Sequence, residues 1–90
     1  MANHKSAIKR HRQNLKRRAR NKHYKSKMRN TIKEFRSALE NNDLAKAKEL
    51  FPGTVSLIQK VSQKGIIHKN QASRRVKRLH GALHKLQQSA

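Results

Sequence analysis

Met28, Ile32, Phe35 and Leu39 recur at steps of four, three and four, which predicts one apolar face of a helix. Leu50, Leu57 and Val61 form a second stripe, with Ala47, Phe51 and Ile58 beside it. Ala72, Val76, Leu79, Leu83 and Leu86 form a third, and its steps of four, three, four and three are those of helices packed nearly side by side. No stretch alternates with the period of two that a half-buried strand requires. The pattern predicts an all-α protein.

Polar breaks separate the stripes. Asn41, Asn42 and Asp43 interrupt the first two, and Asn42 or Asp43 can cap the next helix. Gly65 follows Lys64 where a left-handed terminator would end the second helix, and His68 or Asn70 then opens the third. Pro52 removes a helix hydrogen bond and crowds the Lys48 carbonyl, so a kink or short break is expected after Phe51, with the helix resuming to Lys64. Gly81 is read as a glycine tolerated inside the third helix.

The segment before Met28 obeys a different rule. From Lys5 to Arg29 there is no Gly or Pro, yet the apolar content is thin, with Ile8, Leu15, Ala19 and Tyr24 its main members. At about 1.5 Å per residue a helix here spans roughly 37 Å. Lys5, Lys9, Arg12 and Lys16 step along one line of it, and Arg18, Lys22, Lys25 and Arg29 along another, with Arg10 and Arg17 between. A helix polar all round gains nothing by packing on a core. It is disordered when free, or surrounded by a partner with anions on more than one side.

Charge sharpens this division. The chain has 90 residues, 24 Lys and Arg, four acids and a net charge of +20. Residues 1–30 hold twelve Lys and Arg and no acid, and residues 61–90 hold seven and again none. The middle third holds five, with Glu34, Glu40, Asp43 and Glu49, for a net charge of +1. Only 33% of residues are hydrophobic, against about 45–50% apolar (Gly included) in an ordinary domain. A small, self-repelling chain with so thin a core needs a polyanion, and nucleic acid is the first candidate. The expected organisation is a single domain, with 1–27 a basic RNA-binding helical extension and 28–90 a three-helix bundle.

Lys and Arg position a protein on phosphates without reading sequence. Asn3, His4, Ser6, Gln13, Asn14, Asn21, His68 and Asn70 can add hydrogen bonds to riboses, phosphates and base edges. Phe35 and Phe51 are expected in the core, which leaves at most Tyr24 for base stacking and makes the chain a poor reader of single strands. Recognition of folded RNA by shape and backbone fits better. His80 and His84 share a helix face, but no carboxylate or thiol lies near in sequence to complete a metal set, and no metal or cofactor is expected. There are no cysteines, no Gly-rich phosphate loop and no credible acid–base pair, so no enzyme and no small-molecule substrate is expected.

The longest uncharged run, Leu50 to Gln59, is far too short to span a bilayer, and no apolar stretch follows the basic N-terminus as in a secretory signal. A membrane-active role would need a wide apolar face along residues 5–25, which is lacking. A nucleoid-type DNA-binding protein is the main alternative, although no zinc-finger ligands and no zipper register accompany the basic region.

Particular strings carry a family resemblance. The opening Ala2-Asn3-His4-Lys5-Ser6-Ala7, with Lys9-Arg10 and Arg17-Arg18, resembles the start of the bacterial small-subunit ribosomal protein family called S-twenty. So do Lys25-Ser26, Met28-Arg29 and Ile32-Lys33. The most specific match is Lys64-Gly65-Ile66-Ile67-His68-Lys69-Asn70, followed by Ala72 and Arg74. The resemblance covers essentially the whole chain. It implies a three-helix bundle whose long basic N-terminal helix projects beyond the bundle into ribosomal RNA. It further implies a cytoplasmic protein that binds 16S ribosomal RNA, both at the five-prime domain and at the long helix near the three-prime end. Early incorporation during small-subunit assembly and few protein contacts belong to the same picture. The RNA-facing residues it implies are Asn3, His4, Lys5, Ser6, Lys9, Arg10, Arg12, Lys16, Arg17, Arg18, Arg20, Asn21, Lys25 and Arg29, with His68, Lys69, Asn70, Arg74, Arg75 and Arg78.

Overall fold

A computed structural model describes the backbone of residues 2–89 and the side chains of residues 5–89. It contains three helices, α1 (Ala2–Glu40), α2 (Leu44–Gln63) and α3 (Lys69–Ser89), and no strand among the described residues. The molecule measures 68 × 21 × 15 Å. Its length is set by α1, whose 39 residues extend about 58 Å.

Two left-handed residues turn the chain. Asn42, with φ 56°, ends α1, as the Asp43 N–H reaches back to the Ala38 carbonyl at 2.9 Å and the Asn42 N–H to Leu39 at 3.1 Å. The Asp43 side chain then accepts from the Lys46 N–H at 3.2 Å and caps α2. Gly65, with φ 75°, repeats the device after α2, the Ile66 N–H bonding to the Val61 carbonyl at 3.2 Å and the Gly65 N–H to Ser62 at 2.9 Å. Ile67 folds into the core beyond this turn, and His68 caps α3 by accepting from the Asn70 N–H at 3.1 Å.

The core lies in one half of the molecule. Met28, Ile32, Phe35 and Ala38 of α1 meet Ala47, Ile58 and Val61 of α2 and Ala72, Leu79 and Leu83 of α3. Phe35 is fully buried, and its ring lies 5.7 Å from that of Phe51, which lies 5.7 Å from the His80 imidazole. One aromatic row therefore links all three helices. Residues 5–20 are exposed throughout, including Ile8 at 46% and Leu15 at 50%.

Helix α2 corrects two expectations. It runs unbroken past Phe51, with no interruption at Pro52-Gly53. Lys48, Pro52 and Gly53 are all exposed, so the missing hydrogen bond falls on the solvent side of α2, while buried Thr54 and Ile58 hold the following turn against the core. The buried stripe of α2 is also rotated from the expected one. It is Ala47, Thr54, Ile58 and Val61, with Leu50 and Leu57 at its edges. Thr54 belongs there because its hydroxyl donates to the Leu50 carbonyl at 2.8 Å, which satisfies the polar group inside the protein.

Candidate nucleic-acid interface

The N-terminal half of α1 is a cationic rod. Lys5, Ser6, Lys9, Arg10, Arg12, Lys16, Arg17, Arg18 and Arg20 are all exposed, and no second helix covers them. Asn21 is partly buried, and its amide oxygen accepts from the Arg20 guanidinium at 3.3 Å. The side chains of Asn3 and His4 lie outside the described residues.

This arrangement disfavours the helix that bears it. Like charges four residues apart repel, and the pairs Lys5–Lys9, Arg12–Lys16, Lys16–Arg20, Arg18–Lys22 and Lys25–Arg29 together cost on the order of 1–2.5 kcal/mol. Cations in the N-terminal turns also oppose the helix dipole. Anions laid along the rod reverse both terms.

Tyr24 is not a free stacking platform. It stands one turn before Met28 on the same stripe, and it packs partly buried against the core. The Lys64 and Lys60 ammonium groups sit 5.1 and 5.8 Å from its ring centroid, and His23 meets it edge-on. Tyr24, Phe35 and Phe51 are thus all at least partly buried, and the exposed rings among the described residues are imidazoles.

The two cationic ends of the sequence meet beside the bundle. A cleft of about 580 Å³ between α1 and α3 is lined by Lys25, Arg29, Lys33 and Arg36 on one bank and by Gln71 and Arg75 on the other. Met28, Ile32, Ile66 and Ile67 form its apolar floor, and Glu40 contributes the one carboxylate in the lining. An adjoining hollow of about 170 Å³ joins Arg36 to Arg74, Arg75 and Arg78. Lys25, Arg29, Arg74, Arg75 and Arg78 are therefore brought together, whereas Lys5 through Arg20 remain out along the rod.

Sequence reasoning missed Lys33, Arg36 and Gln71. Lys33 and Arg36 belong to the near-neutral middle third, but they continue the spacing of Lys25 and Arg29, and that spacing was the available signal. Lys69 and Asn70 are exposed at the start of α3, beside the capping ring of His68.

The fold and these surfaces define a class of protein: a small helical bundle carrying a cationic rod longer than its own core. The family model described as Ribosomal protein S20 matches residues 2–84. The small ribosomal subunit protein bS20 of Helicobacter pylori (strain Shi470) is 49% identical over 86 residues, covering 96% of this chain and 97% of that one. Its counterpart from Desulfatibacillum aliphaticivorans is 47% identical over 79 residues, covering 88% and 90%. That of Maridesulfovibrio salexigens is 44% identical over 86 residues, covering 96% and 99%. The chain belongs to the ribosomal protein S20 family, whose members are structural proteins of the ribosome and not enzymes.

Proposed function

We propose that this chain is a structural component of the small ribosomal subunit that binds 16S ribosomal RNA directly and stabilises its folded form during assembly. The observation that carries the proposal is the exposed rod of α1. Residues 5–20 present cations around about two thirds of the helix circumference, contribute nothing to the core and contain no acid. Packing cannot stabilise such a segment, but phosphates on several sides can. Residues 1–27 act as the RNA-binding extension and residues 28–90 as the bundle that anchors it.

The contact residues are Asn3, His4, Lys5, Ser6, Lys9, Arg10, Arg12, Lys16, Arg17, Arg18, Arg20, Asn21, Lys25 and Arg29 on the first helix. On the α3 side they are His68, Lys69, Asn70, Arg74, Arg75 and Arg78. The basic residues hold phosphates, while the amide and hydroxyl groups bond riboses and base edges. Protein neighbours are few, and the site of action is the cytoplasmic ribosome.

Co-sedimentation tests this function. The protein is expected to travel with small subunits in moderate salt, and a folded 16S fragment should outcompete duplex DNA by more than about tenfold at physiological salt. Recovery with chromosomal DNA, or equal competition by duplex, would assign the chain to the nucleoid instead.

A further inference from the structure

We propose that Tyr24, gripped by Lys60 and Lys64, is a clasp that fixes where α1 leaves the bundle and seeds the helix of the rod. It acts in the free chain, whether or not the rod binds RNA.

Three observations carry it. The first is the burial profile of α1. Every residue from Lys5 to Arg20 is exposed, Asn21 and Tyr24 are partly buried, and Met28 is the first buried residue. Tyr24 packs against the core from one turn upstream of Met28. It is the last large side chain that ties α1 to the bundle before the exposed rod begins.

The second is the pair of ammonium groups on its ring. Nζ of Lys64 lies 5.1 Å from the ring centroid and Nζ of Lys60 lies 5.8 Å from it. A cation is attracted to an aromatic face over about that range. The two lysines form a fixed pair, because the Lys64 N–H donates to the Lys60 carbonyl at 3.1 Å as α2 ends. Gly65 then turns the chain toward α3. One ring therefore joins α1 to the end of α2 and to the turn that follows it.

The third is the charge around the ring. Arg20 and Lys27 stand one turn to either side of Tyr24 on α1, and Lys60 and Lys64 are like-charged neighbours one turn apart on α2. No carboxylate lies between Lys5 and Arg29 or beyond Lys60. Coulomb repulsion alone would drive these segments apart. The negative face of the ring, together with its burial, offsets that repulsion.

Starting a helix afresh fixes several residues for one hydrogen bond, whereas lengthening an existing helix is cheap. With Tyr24 held, residues 5–20 need only extend a formed turn toward the N-terminus once anions neutralise them.

Amide hydrogen exchange of the full chain without RNA tests the clasp. The N–H groups of residues 24–28 bond the carbonyls of residues 20–24, the turn that the clasp holds. Tyr24→Leu keeps an apolar side chain and removes the ring. Lys60→Gln with Lys64→Gln removes both ammonium groups. Each is expected to speed exchange of residues 24–28 by about fivefold or more and to leave residues 32–39 at parental rates. Removing two cations from a chain of net charge +20 relieves repulsion, so general electrostatics predicts slower exchange, the opposite sign.

Tyr24→Phe keeps an aromatic face, and Lys60→Arg with Lys64→Arg keeps both cations. Both variants should exchange within about twofold of the parent. Combining Tyr24→Leu with the two Gln substitutions should add nothing to the larger single effect, since ring and cations act as one unit. Parental or slower exchange in the Gln double variant would show that the lysines do not grip the ring, and parental exchange in Tyr24→Leu would show that the ring is not needed. Either result would overturn the proposal. So would additive effects in the combined variant, or equal acceleration of residues 24–28 and 32–39, which would mark a general loss of packing.

Discussion

His68 holds Asn70: the imidazole Nδ1 of the first accepts the backbone N–H of the second at 3.1 Å, and α3 begins between them at Lys69. The His68 carbonyl accepts from the Ala72 N–H at 3.0 Å as the first bond of the helix, while its side chain satisfies one of the donors that a helix start leaves open. His68-Lys69-Asn70 is thus a structural joint as well as a candidate RNA-binding segment.

Replacing His68 by Ala is expected to cost about 1 kcal/mol and to lower the melting temperature by about 5 °C, read by circular dichroism. His68→Asn supplies another capping acceptor and should recover most of that loss. If the Asn variant melts as low as the Ala variant, the cap is not what His68 contributes to stability.

The two left-handed turns make a paired prediction. Gly65 adopts φ 75° in open space, so Gly65→Ala is opposed by backbone strain alone and should destabilise by about 1–2 kcal/mol. Asn42 adopts φ 56° with a side chain, so Asn42→Gly should be neutral or slightly stabilising in chemical denaturation. Equal effects at the two sites would contradict the proposed chain reversals.

Burial separates the rod from the bundle. Phe35→Ala empties the centre of the aromatic row and should cost about 3–5 kcal/mol, enough to unfold a domain this small. Leu15→Ala, at an exposed position, should leave the unfolding midpoint of the bundle unchanged. A large loss from the Leu15 variant would mean that the rod packs on something the bundle needs.

Much of this division was legible in the chain itself. Met28, Ile32 and Phe35 are buried as their spacing predicts, as are Ala72, Leu79 and Leu83. Asp43 caps and Gly65 terminates because short-range backbone chemistry decides both. Prediction failed where the outcome depended on which way a helix faced. Pro52 is tolerated because its side of α2 is wet, and Thr54 is buried because its hydroxyl finds a carbonyl one turn back. The cleft was not legible for the same reason. Lys33 and Arg36 look like ordinary surface charges until α3 places Arg74 and Arg75 beside them.

Local stability should follow the same line. In the free protein, amides of residues 5–20 are expected to exchange with solvent at close to unfolded-chain rates, while those of residues 28–39 are protected. The first group has only helix hydrogen bonds, under mutual charge repulsion, whereas the second is tied to the core. Adding ribosomal RNA should protect the first group. Strong protection of residues 5–20 without RNA would contradict this.

Arg17 and Arg18 stand well out on the rod, on neighbouring faces. Changing both to Ala should weaken RNA binding and flatten its salt dependence, by roughly 0.7–0.9 in slope for each phosphate left unneutralised, measured by filter binding across a salt series. An unchanged slope would show that neither touches phosphate.

The most direct measurement is a density map of the small subunit assembled with this chain. The predicted result is RNA backbone within ion-pair reach of residues 5–29 on more than one side of the helix. A map that left those residues in open solvent, away from any RNA, would contradict the account.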